Sequence, residues 1–414
     1  MKNAFLCAAV VVLSCGFALG QQYKVLWNFT GFSDGGLPYG TLVSDSAGNL
    51  YGTTLEGGEY SEGTVFELYP NGDGTWSQTV LHSLCDDEVF CFEGLDPQAG
   101  LVRDQTGNLF GTTSAGGGAG ECNGEACGVV FELSPPTQGG SWTYQVIHWF
   151  CVFRCSDGAT PRAPLLLDPT GNLYGTTTSG GDGQQGTVFE LSPGGNGGAW
   201  TFSLLYGFCI GGGACSDGAR PEAGVTLDNA GNLYGTTEDG GSGGGTVFEL
   251  SPALGGWTER VLASHKGAYP AASVRFDQEG NLYGTYSGGA EGLPGRYGGV
   301  FKLSPKNGYS SRVFRFDLTD GAVPWAEVLI DSKRRVLYGT TSGAGLENIN
   351  YHGNIFQIDA TGHQSVLYTF CQQANCPDGA LPFSGLFKDS SGNLFGMTSQ
   401  GGTYDRGVVF EITP

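Results

Sequence analysis

Apolar and polar residues alternate along most of this chain in short runs, and glycine breaks the pattern every few positions. The clearest run is Gly231-Asn232-Leu233-Tyr234-Gly235-Thr236-Thr237. Its leucine recurs at Leu50, Leu109, Leu173, Leu233, Leu282, Leu337 and Leu394, at intervals of 59, 64, 60, 49, 55 and 57 residues. Alternation with period two is the signal of a half-buried strand, and no segment sustains a capped helical period.

Each interval holds four such runs. The first begins at a proline (Pro38, Pro97, Pro161, Pro221, Pro270, Pro324 or Pro382), a residue tolerated at a strand start because its missing N–H need not join a ladder. It ends in Asp-x-x-Gly, as in Asp228-Asn229-Ala230-Gly231, a tight turn in which aspartate caps the backbone and glycine takes the positive-φ place. The anchor is the second run, and Gly235 is expected to leave room for a neighbouring sheet. The third reads Gly245 to Pro252, with counterparts at 64–68, 129–133, 187–191 and 408–412. The fourth is aromatic and β-branched, as at Trp142 to Phe150.

Four antiparallel strands repeated seven times predict an all-β fold, a seven-bladed β-propeller. The last copy stops after its third run at Pro414, and the segment Tyr23 to Phe29 reads as a fourth run with no preceding three. The N-terminal strand is therefore expected to complete the last blade and close the ring, which removes the open edge of a linear array.

With these residues in view the chain resembles the bacterial GloVer tandem repeat: Asp-x-x-Gly-Asn-Leu-Tyr-Gly-Thr-Thr, a glycine-rich gap, then Gly-Thr-Val-Phe-Glu-Leu. The resemblance covers nearly all of the chain after residue 20. It implies export and a propeller-like array, and it implies no reaction. The sixth copy departs, with Arg334-Arg335-Val336 where Gly-Asn precedes leucine elsewhere, and the fifth has Tyr286 for the last threonine.

Composition fits this picture: 74 glycines and 12% aromatic residues describe a turn-rich β protein. Lys2, the apolar run Phe5 to Val12 and Ala18-Leu19-Gly20 read as a signal peptide over residues 1–20, leaving 21–414 as one propeller domain that is secreted, periplasmic or on the cell surface. A lipoprotein cut before Cys15 fits poorly, because Leu13 is bulky. No stretch is long and apolar enough to span a membrane. The net charge of −21 argues against nucleic acid and anionic membrane surfaces as partners. A ring without open edges is expected to be a monomer.

Ten cysteines follow the signal segment as close neighbours: Cys85/Cys91, Cys122/Cys127, Cys151/Cys155, Cys209/Cys215 and Cys371/Cys376. In an exported chain these read as disulfides that staple loops, zinc being disfavoured by the oxidising compartment and the lack of paired histidines. All five pairs are expected on one face, together with the long glycine-rich loops. Variable loops on a rigid scaffold are the usual place for binding.

Two residue sets on that face are candidates. Asp34, Asp157, Asp217, Asp320 and Asp378 open Asp-Gly motifs, with Glu93 and Lys266 in the other two copies. A ring of carboxylates would hold Ca²⁺, the one cofactor the pattern suggests, whereas the plain alternative is turn formation. The residue after each proline reads Tyr39, Gln98, Arg162, Glu222, Ala271, Trp325 and Phe383 around the ring. Aromatics from blades six, seven and one would face polar groups from blades two to four, a combination suited to a sugar; interblade packing is the alternative.

Catalytic signatures are poor. Gly31-Phe32-Ser33-Asp34-Gly35 has the letters of a nucleophile elbow, with no helix after it. His82, His148 and His265 fall at similar places in fourth runs, which suggests packing. The reading is a non-enzymatic exported propeller that binds a carbohydrate or a protein through its disulfide-bearing face. The alternatives are a propeller hydrolase or lyase of lactonase or glycosidase type, with Glu222 and Glu327 as the acids to watch, and a purely structural surface protein.

Overall fold

In a computed structural model the chain forms seven four-stranded antiparallel sheets arranged as the blades of a propeller. The structure describes residues 21–85, 91–117, 127–137, 139–151, 153–264, 266–270, 272–288, 297–304, 309–317, 320–343 and 352–414. The expected signal segment with Cys15, and Cys122, His265 and Ala271, lie outside them.

Blade four shows how the repeat becomes a sheet. Its strands, from the axis outward, are Thr226–Leu227, Leu233–Thr237, Thr246–Ala253 and Gly256–Ser264. The turn between the first two is held by Asp228. Its Oδ1 accepts from the Ala230 and Asn232 N–H groups at 2.8 Å each, and its Oδ2 from Asn232 Nδ2 at 2.9 Å and Tyr234 O–H at 3.1 Å. Against the opposing effect of burial, these hydrogen bonds hold the Asp228 carboxyl below its usual range. Gly231 sits at φ +88°, the conformation only glycine adopts freely. In the divergent sixth copy Arg335 takes that left-handed place (φ +55°), and Asp331 still caps the turn through the Lys333 and Arg334 N–H groups.

The innermost strand is shorter than its sequence run. Only two residues pair in most blades, three in blade six, because the segment between the proline and that strand bonds to the neighbouring blade instead. Thr236 O–H donates to Ala272 O of blade five at 3.1 Å, and Thr53, Thr112, Thr176, Thr285 and Thr340 make the same bond to Ala99, Ala163, Ala223, Ala326 and Ser384 of the following blade. Blade seven carries the buried Met397 at this position, so the seam to blade one lacks the hydroxyl.

Strand alternation sends Leu233 and Tyr234 to opposite faces of the blade. Leu233 enters the buried cluster shared with blade three, and Tyr234 the cluster shared with blade five. Seven such clusters, one per seam, form the core. Gly235 serves a nearer neighbour than expected. A Cβ there would lie 2.5 Å from Phe248 Cζ, so the ring that needs the space belongs to the next strand of the same blade.

Blade seven consists of Phe387–Lys388, Leu394–Thr398, Val408–Thr413 and the N-terminal strand Gln22–Asn28, which pairs antiparallel with Val408–Thr413. Tyr23 stacks on Tyr368 of blade six (centroids 3.9 Å apart, 8° between planes), and its hydroxyl donates to Asp378 O at 2.5 Å.

Candidate functional site

Isolated bridges such as Ala219↔Asp239 and Gly36↔Glu56 tie the loops that enter each blade to the loops between its second and third strands, so both loop sets share one face. Disulfides Cys85–Cys91, Cys151–Cys155, Cys209–Cys215 and Cys371–Cys376 lie in the entering loops. Cys127 is also disulfide-bonded; its expected partner, Cys122, is outside the described residues. The carbonyl of the second cysteine accepts from a glycine-rich loop: Gly117 N to Cys91 O at 2.9 Å, Gly181 N to Cys155 O at 2.7 Å, Gly241 N to Cys215 O at 2.9 Å and Gly402 N to Cys376 O at 2.8 Å. Each disulfide therefore fixes two loops. Blade one makes the same bond from Gly58 N to Phe32 O without cysteines, its loop held by Thr30 and Asp34. Apolar tips project from these loops: Phe32 is 77% exposed, Phe153 67% and Ile210 66%.

The Asp-Gly carboxylates are engaged by their own loops and do not gather. Asp157 accepts from Cys151 N (3.0 Å) and meets His148 Nε2 at 3.2 Å; Asp217 accepts from Cys209 N (2.9 Å) and Tyr206 O–H (3.0 Å); Asp378 accepts from Cys371 N (3.1 Å) and Tyr368 O–H (2.8 Å). Asp34 accepts from Trp27 Nε1 and Thr30 N, Asp320 from Asp317 N, and Glu93 meets His82 Nε2 at 2.9 Å. A strand-four side chain meets the acid at Asp34, Glu93, Asp157, Asp217 and Asp378, whereas Phe314 holds that place beside Asp320, and Ala263 holds it where Lys266 replaces the acid. Among the described residues, the only trio of metal-ligating side chains within 4.8 Å of one another is His352, Cys371 and Cys376, and those two sulfurs are joined in a disulfide. His82 and His148 stack on Tyr144 and Phe202 of the following blade, as packing requires.

The residue before each mouth proline is left-handed in all seven blades: Leu37, Asp96, Thr160, Arg220, Tyr269, Val323 and Leu381, with φ from +50° to +60°. This backbone is unfavourable for a β-branched residue such as Val323, and more so before proline. Interblade hydrogen bonds impose it, for example Arg220 N–H to Gln185 O at 2.8 Å and Leu381 N–H to His352 O at 2.8 Å. The described residues after these prolines thereby project from a collar tied together between blades.

Two groups form there. Tyr39 and Phe383, from adjoining blades, stack with centroids 5.1 Å apart at 16°. Burial, and after it the Glu56 charge, raises the Tyr39 hydroxyl pKa. Trp325 lies half-buried in blade six, next to the Phe383 blade. Across the ring Arg162 Nη1 approaches Glu222 Oε1 at 3.9 Å. Sequence reasoning missed the residues that complete this second group. Arg220 donates from Nη2 to Glu222 (3.0 Å) and from Nη1 to Asp239 (3.1 Å), and its Nη2 also lies 2.9 Å from Glu238 Oε2. Glu238 is buried enough that desolvation, then the Glu222 charge, raises its pKa against the pull of Arg220. The signal was present: Glu238 stands where Ser114, Thr178, Ser287, Ser342 and Ser399 stand in other copies.

Among the described residues, the lumen carries the charged pair Arg275 and Glu327. Counted from the mouth proline, Thr41, Gly100, Pro164, Gly224, Ser273, Glu327 and Gly385 share one ring position. Arg275 Nη2 donates to Glu327 Oε1 at 2.8 Å inside a cavity of about 380 Å³. The Glu327 charge holds the Arg275 pKa up, against burial.

The chain matches the family described as the Gloeobacter/Verrucomicrobia repeat over residues 16–151, 122–295 and 262–414. No curated protein sequence matches it. Among solved structures it is similar to an ulvan lyase (10% identity, 92% of this chain and 94% of that one, TM-score 0.52). It is also similar to a xyloglucanase from Xanthomonas campestris (14%, 92% and 52%, 0.51) and to PorZ, a surface component of the type-IX secretion system of Porphyromonas gingivalis (14%, 91% and 46%, 0.52). At these identities the likeness is one of fold.

Proposed function

We propose that this chain, a member of the Gloeobacter/Verrucomicrobia repeat family, is an exported propeller that binds a carbohydrate, without chemistry, at the mouth of its disulfide-bearing face. One observation carries the reading. The stacked Tyr39–Phe383 pair stands on one side of the mouth, and the cluster of Arg162, Arg220, Glu222, Glu238 and Asp239 on the other. A sugar ring offers C–H faces to aromatic rings and hydroxyls to charged groups, and the collar presents both without reorganising. The test is a glycan array with the wild-type protein and with Trp325→Ala and Phe383→Ala. Binding that disappears in either variant supports the reading, and binding indifferent to both removes the aromatic half of it.

A hydrolase or lyase is the second reading, and the shared contact of Glu222 and Glu238 with Arg220 Nη2 favours it. Two carboxylates with one pKa raised are the arrangement acid–base catalysis uses. An activity on a polysaccharide abolished by both Glu222→Gln and Glu238→Gln would establish it. Retention of activity in either variant would remove these residues from the chemistry.

A further inference from the structure

A second groove opens between blades two and three, on the face away from the disulfides. Its volume is about 1040 Å³, against about 410 Å³ for the corresponding groove between blades five and six. The seven repeats act as internal controls for what it lacks. In blade one the Tyr51 hydroxyl donates to Asp45 Oδ2 at 3.1 Å and Glu67 Oε1 at 3.0 Å. Tyr234 and Tyr174 donate to Asp228 and Asp168 in the same way. Blade two has Phe110 at this place, so no phenol stands between Asp104 and Glu132. Beside them the Nε of Arg103 is buried and meets no hydrogen-bond partner. Trp200 of blade three stands over Phe110 (centroids 5.7 Å apart, 73° between planes), and the wall beyond it is Gly194, Gly197 and Gly198. The other phenylalanine of this kind, Phe395, likewise meets a tryptophan of the following blade, Trp76 (centroids 6.5 Å apart, 63° between planes), but there the Lys24 charge acts on Glu411.

We propose that this groove binds an oligosaccharide, one hydroxyl of which takes the place that the Tyr51 phenol fills in blade one. The sugar hydroxyl donates its one hydrogen to Glu132 or Asp104, Arg103 donates to a ring or linkage oxygen, and the indole of Trp200 covers a C–H face. A cavity of this size suits several sugar units, and the glycine wall lets the chain lie close to backbone. The site shares no residue with the mouth, so the two readings stand or fall separately.

Titration with the hexasaccharides of β-1,4-linked glucose, mannose and xylose and of α-1,4-linked glucose tests it, read by tryptophan fluorescence and calorimetric stoichiometry. Phe110→Tyr restores the repeat's own residue, and its melting temperature is expected to match or exceed that of wild type. We expect Phe110→Tyr and Trp200→Ala each to weaken binding of at least one of these glycans by about tenfold or more, a loss the size of one aromatic or hydrogen-bond contact. Phe383→Ala leaves that binding unchanged. Absence of binding by all four glycans overturns the proposal. Binding that survives Phe110→Tyr and Trp200→Ala, or is lost only in Phe383→Ala, overturns it as well.

Discussion

Arg275 Nη2 donates to Glu327 Oε1 across 2.8 Å, joining blade five to blade six inside the lumen. The arginine side chain is ringed by protein yet 40% exposed, the condition of a group lining a solvent-reached tunnel. Solvent screening keeps the pair modest. A double-mutant cycle of Arg275→Met and Glu327→Gln in denaturant unfolding is expected to give a coupling of about 1 kcal/mol. Strict additivity of the two single changes would mean that the pair does not hold the blades together.

Glu259 faces Asp217 across the seam between blades three and four. Burial, and then the Asp217 charge, pushes its carboxyl up to about 7. A carboxyl raised in the folded state favours folding at low pH, and that contribution is lost as pH rises through about 7. Glu259→Gln is therefore expected to stabilise the protein by about 1 kcal/mol at pH 8, after discounting for partial exposure, and to have little effect near pH 4. Unfolding midpoints at the two pH values check this, and a benefit that grows toward acid would contradict it.

Thr236 and its counterparts bond each blade to the next, except at the seam from Met397 to blade one. Thr236→Val keeps the shape and leaves Ala272 O without its donor, at a cost of about 1–2 kcal/mol. Thr236→Ser keeps the hydroxyl and is expected to cost less than Thr236→Val. The reverse order in thermal unfolding would show that the threonine methyl, and not the hydroxyl, matters.

Tyr23 carries the N-terminal strand to blade six, stacking on Tyr368 and donating to Asp378 O, while Leu26 packs toward blade one on the other side. Tyr23→Ala is expected to cost about 3 kcal/mol, the lower range for losing a buried aromatic. A fall in melting temperature no larger than that of a surface substitution would contradict this role.

The repeat was legible because its causes are local. An aspartate that caps a turn and a glycine at positive φ leave their mark within four residues, as at Asp228 and Gly231. Alternation at Leu233 and Tyr234 likewise encodes two seams. The mouth was legible only as a set of positions. Arg162 and Glu222 were picked out as unusual, but Arg220 and Glu238 join them through a collar that interblade bonds impose from distant residues such as Gln185. The contacts of the Asp-Gly carboxylates were illegible for the same reason. Their partners are strand-four side chains such as His148 and Tyr206, and nothing in the motif itself names them. The groove at Phe110 escaped notice because tyrosine to phenylalanine leaves the apolar pattern unchanged and removes only a hydroxyl.

Under the proposed function the seven copies build a scaffold, and binding lies where they differ at the mouth. The most direct measurement is the affinity of the best-bound array glycan for wild type and for Phe383→Ala, at matched folding verified by melting temperature. A loss of about tenfold or more in Phe383→Ala is the predicted result, corresponding to one stacking contact. Unchanged affinity, or the absence of any bound glycan, would contradict the claim.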